Sequence, residues 1–404
     1  MFRHMMGQPG SAVAGSRGVG DGWTSQRTDA EADTGQPVRI GVVGLGAFGR
    51  FCAEAYLGMP GVEVVAIADT DPHALAAGVA LAPHAGAYTD PALLMALPDV
   101  AVVTLCVPPD RQLALVLAAA LAGKHVVCDK PLAPTLAEFD LAVAAAAAHG
   151  IALGMNLVLR HSPLYGALQK LARSGVLGPL RRLAVENYAD EARAFGPAHW
   201  FCNPARSGGL TLAADIHWLD LATRLLGPVR EVHTWEPELG ADGGPRRLVT
   251  TAHAAGAVAS IYHAFDTSPG ATGCTVLAAF DEGEVRVDGW VPTTLTLACA
   301  PERAAAVAAV LGAGGLPVVA SGDDPRAVLV LRSGFDRRTT YLEMVRSTLR
   351  LVLEQARGQA DANDLASARS ATTAALAAER AAVSRGWVSL GTDGPREALE
   401  AVAQ

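Results

Sequence analysis

Lys130 and His217 are the residues whose surroundings best suit proton chemistry. Lys130 lies in Cys128-Asp129-Lys130-Pro131, directly after the short apolar run His125-Val126-Val127. A lysine at the carboxyl end of a buried strand stands where open α/β sheets place their ligands. In water its ammonium titrates near ~10.4, and desolvation beside another cation lowers that value into a range useful for proton transfer. His217 lies in Gly208-Gly209-Leu210-Thr211-Leu212-Ala213-Ala214-Asp215-Ile216-His217-Trp218-Leu219-Asp220. On a helix Asp220 shares its face and can accept the second ring N–H, holding one tautomer. Plainer readings exist: a solvated surface lysine, a histidine satisfied in the core, and an Asp220–Arg224 pair one helical turn apart.

The elements before Lys130 read as a nucleotide cradle. The β-branched run Val38–Val43 ends in Gly44-Leu45-Gly46-Ala47-Phe48-Gly49, and a helix is expected over Arg50–Leu57. In G-x-G-x-x-G after a strand, the first glycine makes a tight turn and the second lets backbone approach a pyrophosphate. The third allows close helix packing. The phosphates would sit on the unpaired N–H groups around Ala47 and Phe48, at the positive end of the helix. A second strand, Val62–Ala68, ends at Asp69, twenty residues past Gly49. A carboxylate there accepts from the adenosine ribose 2′-OH and repels a 2′-phosphate, so NAD is expected in preference to NADP. Thr70 and Asp71 add no cation to change that. The alternative for Asp69 is a turn or helix cap.

Strands and helices keep alternating: helix Pro72–Leu81, short helix Leu93–Leu97, strand Val100–Val107, helix Asp110–Ala122, strand His125–Cys128, helix Thr135–His149, strand Ile151–Met155. Such alternation means βαβ units and a doubly wound parallel Rossmann sheet. Pro108-Pro109 and Pro131 follow strand ends, so both turns face the cofactor crevice, and Pro108 joins the expected cofactor residues. The Lys130-Pro131 bond is a candidate for cis geometry.

Beyond Ile151–Met155 the pattern changes. A helix, Leu164–Ser174, is followed by strand-like runs at Arg181–Tyr188, Glu231–Glu236, Leu248–His253, Val258–Phe265, Thr275–Phe280, Glu284–Val287 and Thr293–Ala298. Gly, Pro or Asp clusters separate them, as in an antiparallel meander. Tyr341–Glu354 and Leu365–Ser384 have helical spacing.

Ala122-Gly123-Lys124-His125-Val126-Val127-Cys128-Asp129-Lys130-Pro131-Leu132 resembles the A-G-K-H-V-x-C-E-K-P-L stretch of the Gfo/Idh/MocA oxidoreductases, with Asp129 replacing the usual Glu. The resemblance continues through Arg160-His161-Ser162-Pro163, Gly175–Leu180, and Ser207-Gly208-Gly209 leading to His217 and Asp220. It implies an N-terminal Rossmann domain and a C-terminal α+β domain on a large, mostly antiparallel sheet. Boundaries are expected at 38–157 and 158–404, with 1–37 a disordered leader. The resemblance also implies Lys130 and His217 as the catalytic pair and a homo-oligomer, dimer or tetramer. One departure stands out. The family's G-G-x-L-x-D-x-G-x-H-x-x-D places an acid four residues before the histidine, on its helical face; here that position is Ala213, and the aspartate is at 215. Residues i and i+2 of a helix point about 200° apart, so Asp215 substitutes only if the helix begins there and it acts as an N-cap. Asp215, Asp220 and Arg160 are carried as substrate-binding or orienting residues, with a structural ion pair the alternative for Arg160.

Bulk composition agrees with a globular enzyme. Of 404 residues, 50% are hydrophobic and 18% charged, with a formal charge of −8. That balance and the lack of a basic stripe argue against nucleic acid as a partner. The longest apolar run is too short to span a bilayer, which takes about 20 residues. Six cysteines lie far apart with no C-x-x-C pair, so neither a metal cluster nor a dense disulfide framework is expected. A reducing cytoplasm follows. The leading expectation is an NAD-dependent oxidoreductase acting on a polyol, sugar or related hydroxy or keto compound. Two alternatives stay open: transient redox during glycoside cleavage or elimination, and, given Ala213, a non-catalytic NAD-binding sensor.

Overall fold

The computed structural model describes residues 36–190, 199–236, 247–312, 318–320, 325–360 and 363–391. Residues 1–35 of the expected leader, and residues 191–198 of the loop between Asp190 and Arg206, lie outside them. Six strands build the first sheet: β1 (Val38–Val43), β2 (Val62–Ala68), β3 (Gly86–Tyr88), β4 (Val102–Leu105), β5 (His125–Cys128) and β6 (Leu153–Met155). Their order is β3-β2-β1-β4-β5-β6 and every pairing is parallel. The reversal of strand order lies between β1 and β4, where a doubly wound sheet opens its ligand crevice. The expected strand over Val100–Val107 keeps only its central four residues, and Ile151–Met155 keeps its last three.

The crossover helices are α1 (Ala47–Leu57), α2 (Pro72–Leu81), α3 (Pro91–Met95), α4 (Pro109–Leu121) and α5 (Leu136–Ala148). Local chemistry sets their starts. Asp71 accepts from the His73 N–H and Asp90 from the Ala92 N–H, each with proline in the first turn. The Asp90 cap starts α3 at Pro91 rather than at Leu93. Thr135 accepts from the Glu138 N–H and donates to the Glu138 carboxylate, a side-chain cap at the start of α5.

After helix α6 (Pro163–Ser174) comes a ten-stranded sheet. It contains β7 (Leu180–Tyr188), β8 (Glu231–Trp235), β9 (Arg247–Ala254), β10 (Ala257–Ala264), β11 (Gly273–Phe280), β12 (Gly283–Asp288), β13 (Thr294–Cys299), β14 (Val318–Ala320), β15 (Ala327–Arg332) and β16 (Val388–Ser389). Only the β7–β10 pairing is parallel. Four strands fall outside the expected runs: β3, β14 and β16, each too short for a periodic signal, and β15, whose Ala-Val-Leu-Val-Leu-Arg alternation is a strand signal in its own right.

Three helices tie this sheet to the first: α7 (Ile216–Leu226), α8 (Arg337–Ala356) and α9 (Asn363–Ser384). Helix α8 packs on α1, β5 and β6, and α9 on α7, β8 and the segment before α7. One continuous apolar core therefore runs through both sheets. No helix among the described residues is long and apolar enough to cross a membrane.

Candidate active site

The cradle after β1 has the shape its glycines require. Gly44 has φ +87°, and a Cβ there would run into the Cys106 carbonyl at the end of β4. A Cβ on Gly49 would strike the Gly44 carbonyl, whereas one on Gly46 would meet open space. The loop is thus pressed against the sheet on one side and open on the other, at the amino end of α1. Ala47 and Phe48 open that helix, with Arg50 donating to the Leu45 carbonyl at 2.6 Å. Asp69 accepts from the Leu45 N–H at 2.6 Å and the Asp71 N–H at 2.8 Å, so its carboxylate buttresses the loop directly. A carboxylate offers about four acceptor sites, which leaves capacity for ribose hydroxyls. The residues present fit a dinucleotide: an open backbone face, a helix amino terminus and an acid at the end of β2. Pro108 caps the start of α4 at the neighbouring strand end.

Lys130 follows β5, and its bond to Pro131 is cis. The turn is held from behind by buried Gln112 of α4, whose amide donates to the Asp129 and Pro131 carbonyls, both at 3.0 Å. Lys130 Nζ donates to the Ala213 carbonyl at 2.6 Å. The lysine therefore bridges the two sheets' elements, and it lands on the residue that replaces the family's acid. Beside it, burial pushes the Asp129 carboxyl up to about 6, against the downward pull of the Lys130 charge. Asp129 and Gln112 are site residues that sequence reasoning had not singled out; the signal for Asp129 was its place beside Lys130.

The segment carrying His217 is irregular. Thr211–Asp215 forms a π-helical turn that runs straight into α7. π turns are rare and gather at functional sites. Glu379 of α9 accepts from the Thr211 N–H at its start, and burial lifts that carboxyl to about 7. Gly209, at φ +101°, is needed where it stands, because a Cβ would collide with the Glu379 carboxylate. The Ala213 side chain packs with Phe201, Leu248 and Phe265. The expected acid is not merely missing; its place belongs to an apolar cluster.

His217 is 4% exposed, and no hydrogen bond among the described residues uses its Nδ1. Burial, then the charges of Lys130 and Arg160, hold its pKa well below the ordinary imidazole value. The imidazole is therefore favoured in its neutral form. Its ring meets Trp290 edge-on at 5.4 Å, Trp290 meets Tyr341 at 5.3 Å, and Tyr341 lies 6.4 Å from Phe48 of the cradle. Trp290 also walls a cavity of about 130 Å³ with Asn187, Asp190, Cys274, Val291 and Arg337.

Three expected roles change. Asp220 does not orient His217: both its oxygens take the Arg160 guanidinium, at 2.5 and 2.9 Å. Arg160 also binds Asp364, so its guanidinium is held between two carboxylates, the structural ion pair that was the alternative for it. A desolvated guanidinium needs such partners, and Asp220 is one of the two carboxylates it reaches. Asp215 does not cap α7: its backbone is already helical and its side chain makes no capping bond. It is completely buried, with Oδ1 2.5 Å from Nδ1 of His263.

The family model described as "Oxidoreductase family, NAD-binding Rossmann fold" matches residues 38–157, and the GFO/IDH/MocA C-terminal domain model matches 165–286. Inositol 2-dehydrogenase 2 of Paenarthrobacter aurescens is 35% identical over 209 residues, covering 50% of this chain and 59% of that protein. Myo-inositol 2-dehydrogenase of Thermotoga maritima is 30% identical over 191 residues, covering 47% of this chain and 55% of that protein. The matched region thus spans little more than half the length of these relatives. Among solved structures, a levoglucosan dehydrogenase in complex with NADH superposes with a TM-score of 0.73 at 19% identity, over 88% of this chain and 100% of that one. That likeness shows a shared fold.

Proposed function

The chain belongs to the Gfo/Idh/MocA oxidoreductase family, and from that premise we propose an NAD-dependent dehydrogenase acting on a carbinol carbon of a polyol, sugar or related hydroxy compound. Gly44, Gly46, Gly49, the N–H groups at Ala47 and Phe48, and Asp69 would hold the dinucleotide; when bound, it supplies the hydride acceptor. His217 removes the hydroxyl proton, and Lys130 polarises the same oxygen and relays charge. The observation that carries this reading is the state of His217: enclosed beside Lys130, with no hydrogen bond among the described residues using its Nδ1. An imidazole with an unused ring nitrogen can accept a proton there, and a core histidine would have its nitrogens satisfied.

The relatives carry inositol and levoglucosan in their names, which supports a polyhydroxylated substrate. A homo-oligomer located in the cytoplasm completes the proposal. The test is NAD⁺ reduction followed at 340 nm across inositols, sugars, anhydrosugars and sugar acids. NADH formation with at least one polyol is expected. No NADH from any of them, with exchange of a substrate hydrogen into solvent, would instead indicate transient redox.

A further inference from the structure

Asp215 is fully buried, and a carboxylate stripped of water is costly unless partnered. Its partner is His263 of β10, 2.5 Å away, while Oδ2 has no hydrogen bond among the described residues. The His263 ring stacks on Phe265, centroids 4.0 Å apart at 16°, so its plane is fixed. On the far side of the ring, Nε2 lies 2.8 Å from the Asn187 amide nitrogen. That nitrogen can only donate, so Nε2 accepts and Nδ1 carries the proton that goes to Asp215. Carboxylate, imidazole and amide thus form a directed chain across three elements: the π turn, β10 and β7.

The chain ends at a cavity. Asn187 is 3% exposed and lines the space walled by Trp290, the same indole that packs against His217. No hydrogen bond among the described residues uses its Oδ1. One amide N–H is spent on His263; the second N–H and the oxygen remain. A donor and an acceptor on one rigid amide match adjacent hydroxyls, one donating and the other accepting. Packing alone does not call for this arrangement, since buried ionic or polar pairs are commonly no more stable than apolar replacements.

We propose that Asn187 binds a hydroxyl pair of the substrate, and that Asp215 acts through His263 as its positioning residue. This relay supplies the substrate grip for which position 213 has no polar side chain. The inference rests on a polyhydroxylated substrate occupying the cavity beside Trp290.

The test uses the full chain saturated with NADH and titrates myo-inositol and levoglucosan by calorimetry. Asn187→Ala should weaken the probe that wild type binds by at least about tenfold, as expected for losing one or two hydrogen bonds. NADH affinity should stay within twofold. His263→Gln, which keeps a hydrogen-bonding group near the Nε2 position, should retain more probe affinity than His263→Phe. Wild-type affinity in Asn187→Ala, equal affinity in the two His263 variants, or no binding of either probe to wild type would each overturn the inference. A wild type that binds a probe through Asn187 but reduces no NAD⁺ with it would refute the dehydrogenase reading and leave this assignment standing.

Discussion

The glycine cradle at Gly44–Gly49 and the segment Gly208–Asp220 are joined by the rings of Phe48, Tyr341, Trp290 and His217, yet they are built on opposite principles. The cradle is a backbone device. Its glycines are required by backbone contacts, Gly49 with the Gly44 carbonyl and Gly44 with the Cys106 carbonyl beyond neighbouring β4, and Asp69 reaches it from the end of β2. The second segment is a side-chain device, held by groups distant in sequence: Lys130 from β5, His263 from β10, Arg160 from before α6 and Glu379 from α9. A cofactor common to many enzymes can be served by a fixed local motif. A substrate pocket is assembled from whichever side chains the fold brings together, and so can be rebuilt, as at Ala213.

The largest effect should come from His217→Gln, which keeps a polar side chain and removes the base. kcat should fall by roughly 10²–10⁴, the usual contribution of a positioned general base, with NADH affinity unchanged in a fluorescence titration. Gly49→Ala should break the other region alone. Its methyl group must displace the Gly44 carbonyl, and a backbone shift costing about 3 kcal/mol weakens NADH binding about a hundredfold.

Next comes Glu379→Ala, which leaves the Thr211 N–H without its acceptor. The cost of an unsatisfied buried donor is about 1–3 kcal/mol. Chemical denaturation should register it, together with a roughly tenfold lower kcat/KM and unaltered NADH affinity. If NADH affinity fell in parallel, the two regions would not be separable.

The smallest effect is one of pH. Asp129 titrates at about 6 in the folded chain, above the ~3.9 of an unperturbed aspartate, because burial disfavours its charge. A raised value means that folding favours the protonated form. The stabilising contribution is complete below the unfolded value and is lost as pH rises through about 6. Asp129→Asn should therefore gain about 1–2 kcal/mol of stability at pH 8 relative to wild type and almost none near pH 4. Urea midpoints at the two pH values would check it; an equal gain at both would show that charge is not the cause.

These contrasts explain what was legible from residues alone. The first sheet was, because each strand ends at its own turn signal and strands alternate with helices throughout. The place of Lys130 directly after a strand was legible too. The partners of Asp215 and Asp220 were not. On a regular helix Asp220 faces His217, but a buried guanidinium from sixty residues earlier captured it. The π turn shows no periodic signature, and the His263–Asp215 bond spans 48 residues. No local pattern announces a contact whose two halves lie on different elements.

The central claim is that Lys130 handles charge at the reacting oxygen without holding the dinucleotide fold together. Lys130→Met, compared with wild type for NADH affinity and for turnover on whichever polyol reduces NAD⁺, tests it most directly. The account predicts a loss of at least about a hundredfold in kcat with NADH affinity within a few-fold of wild type. Turnover retained within a few-fold in Lys130→Met would contradict it.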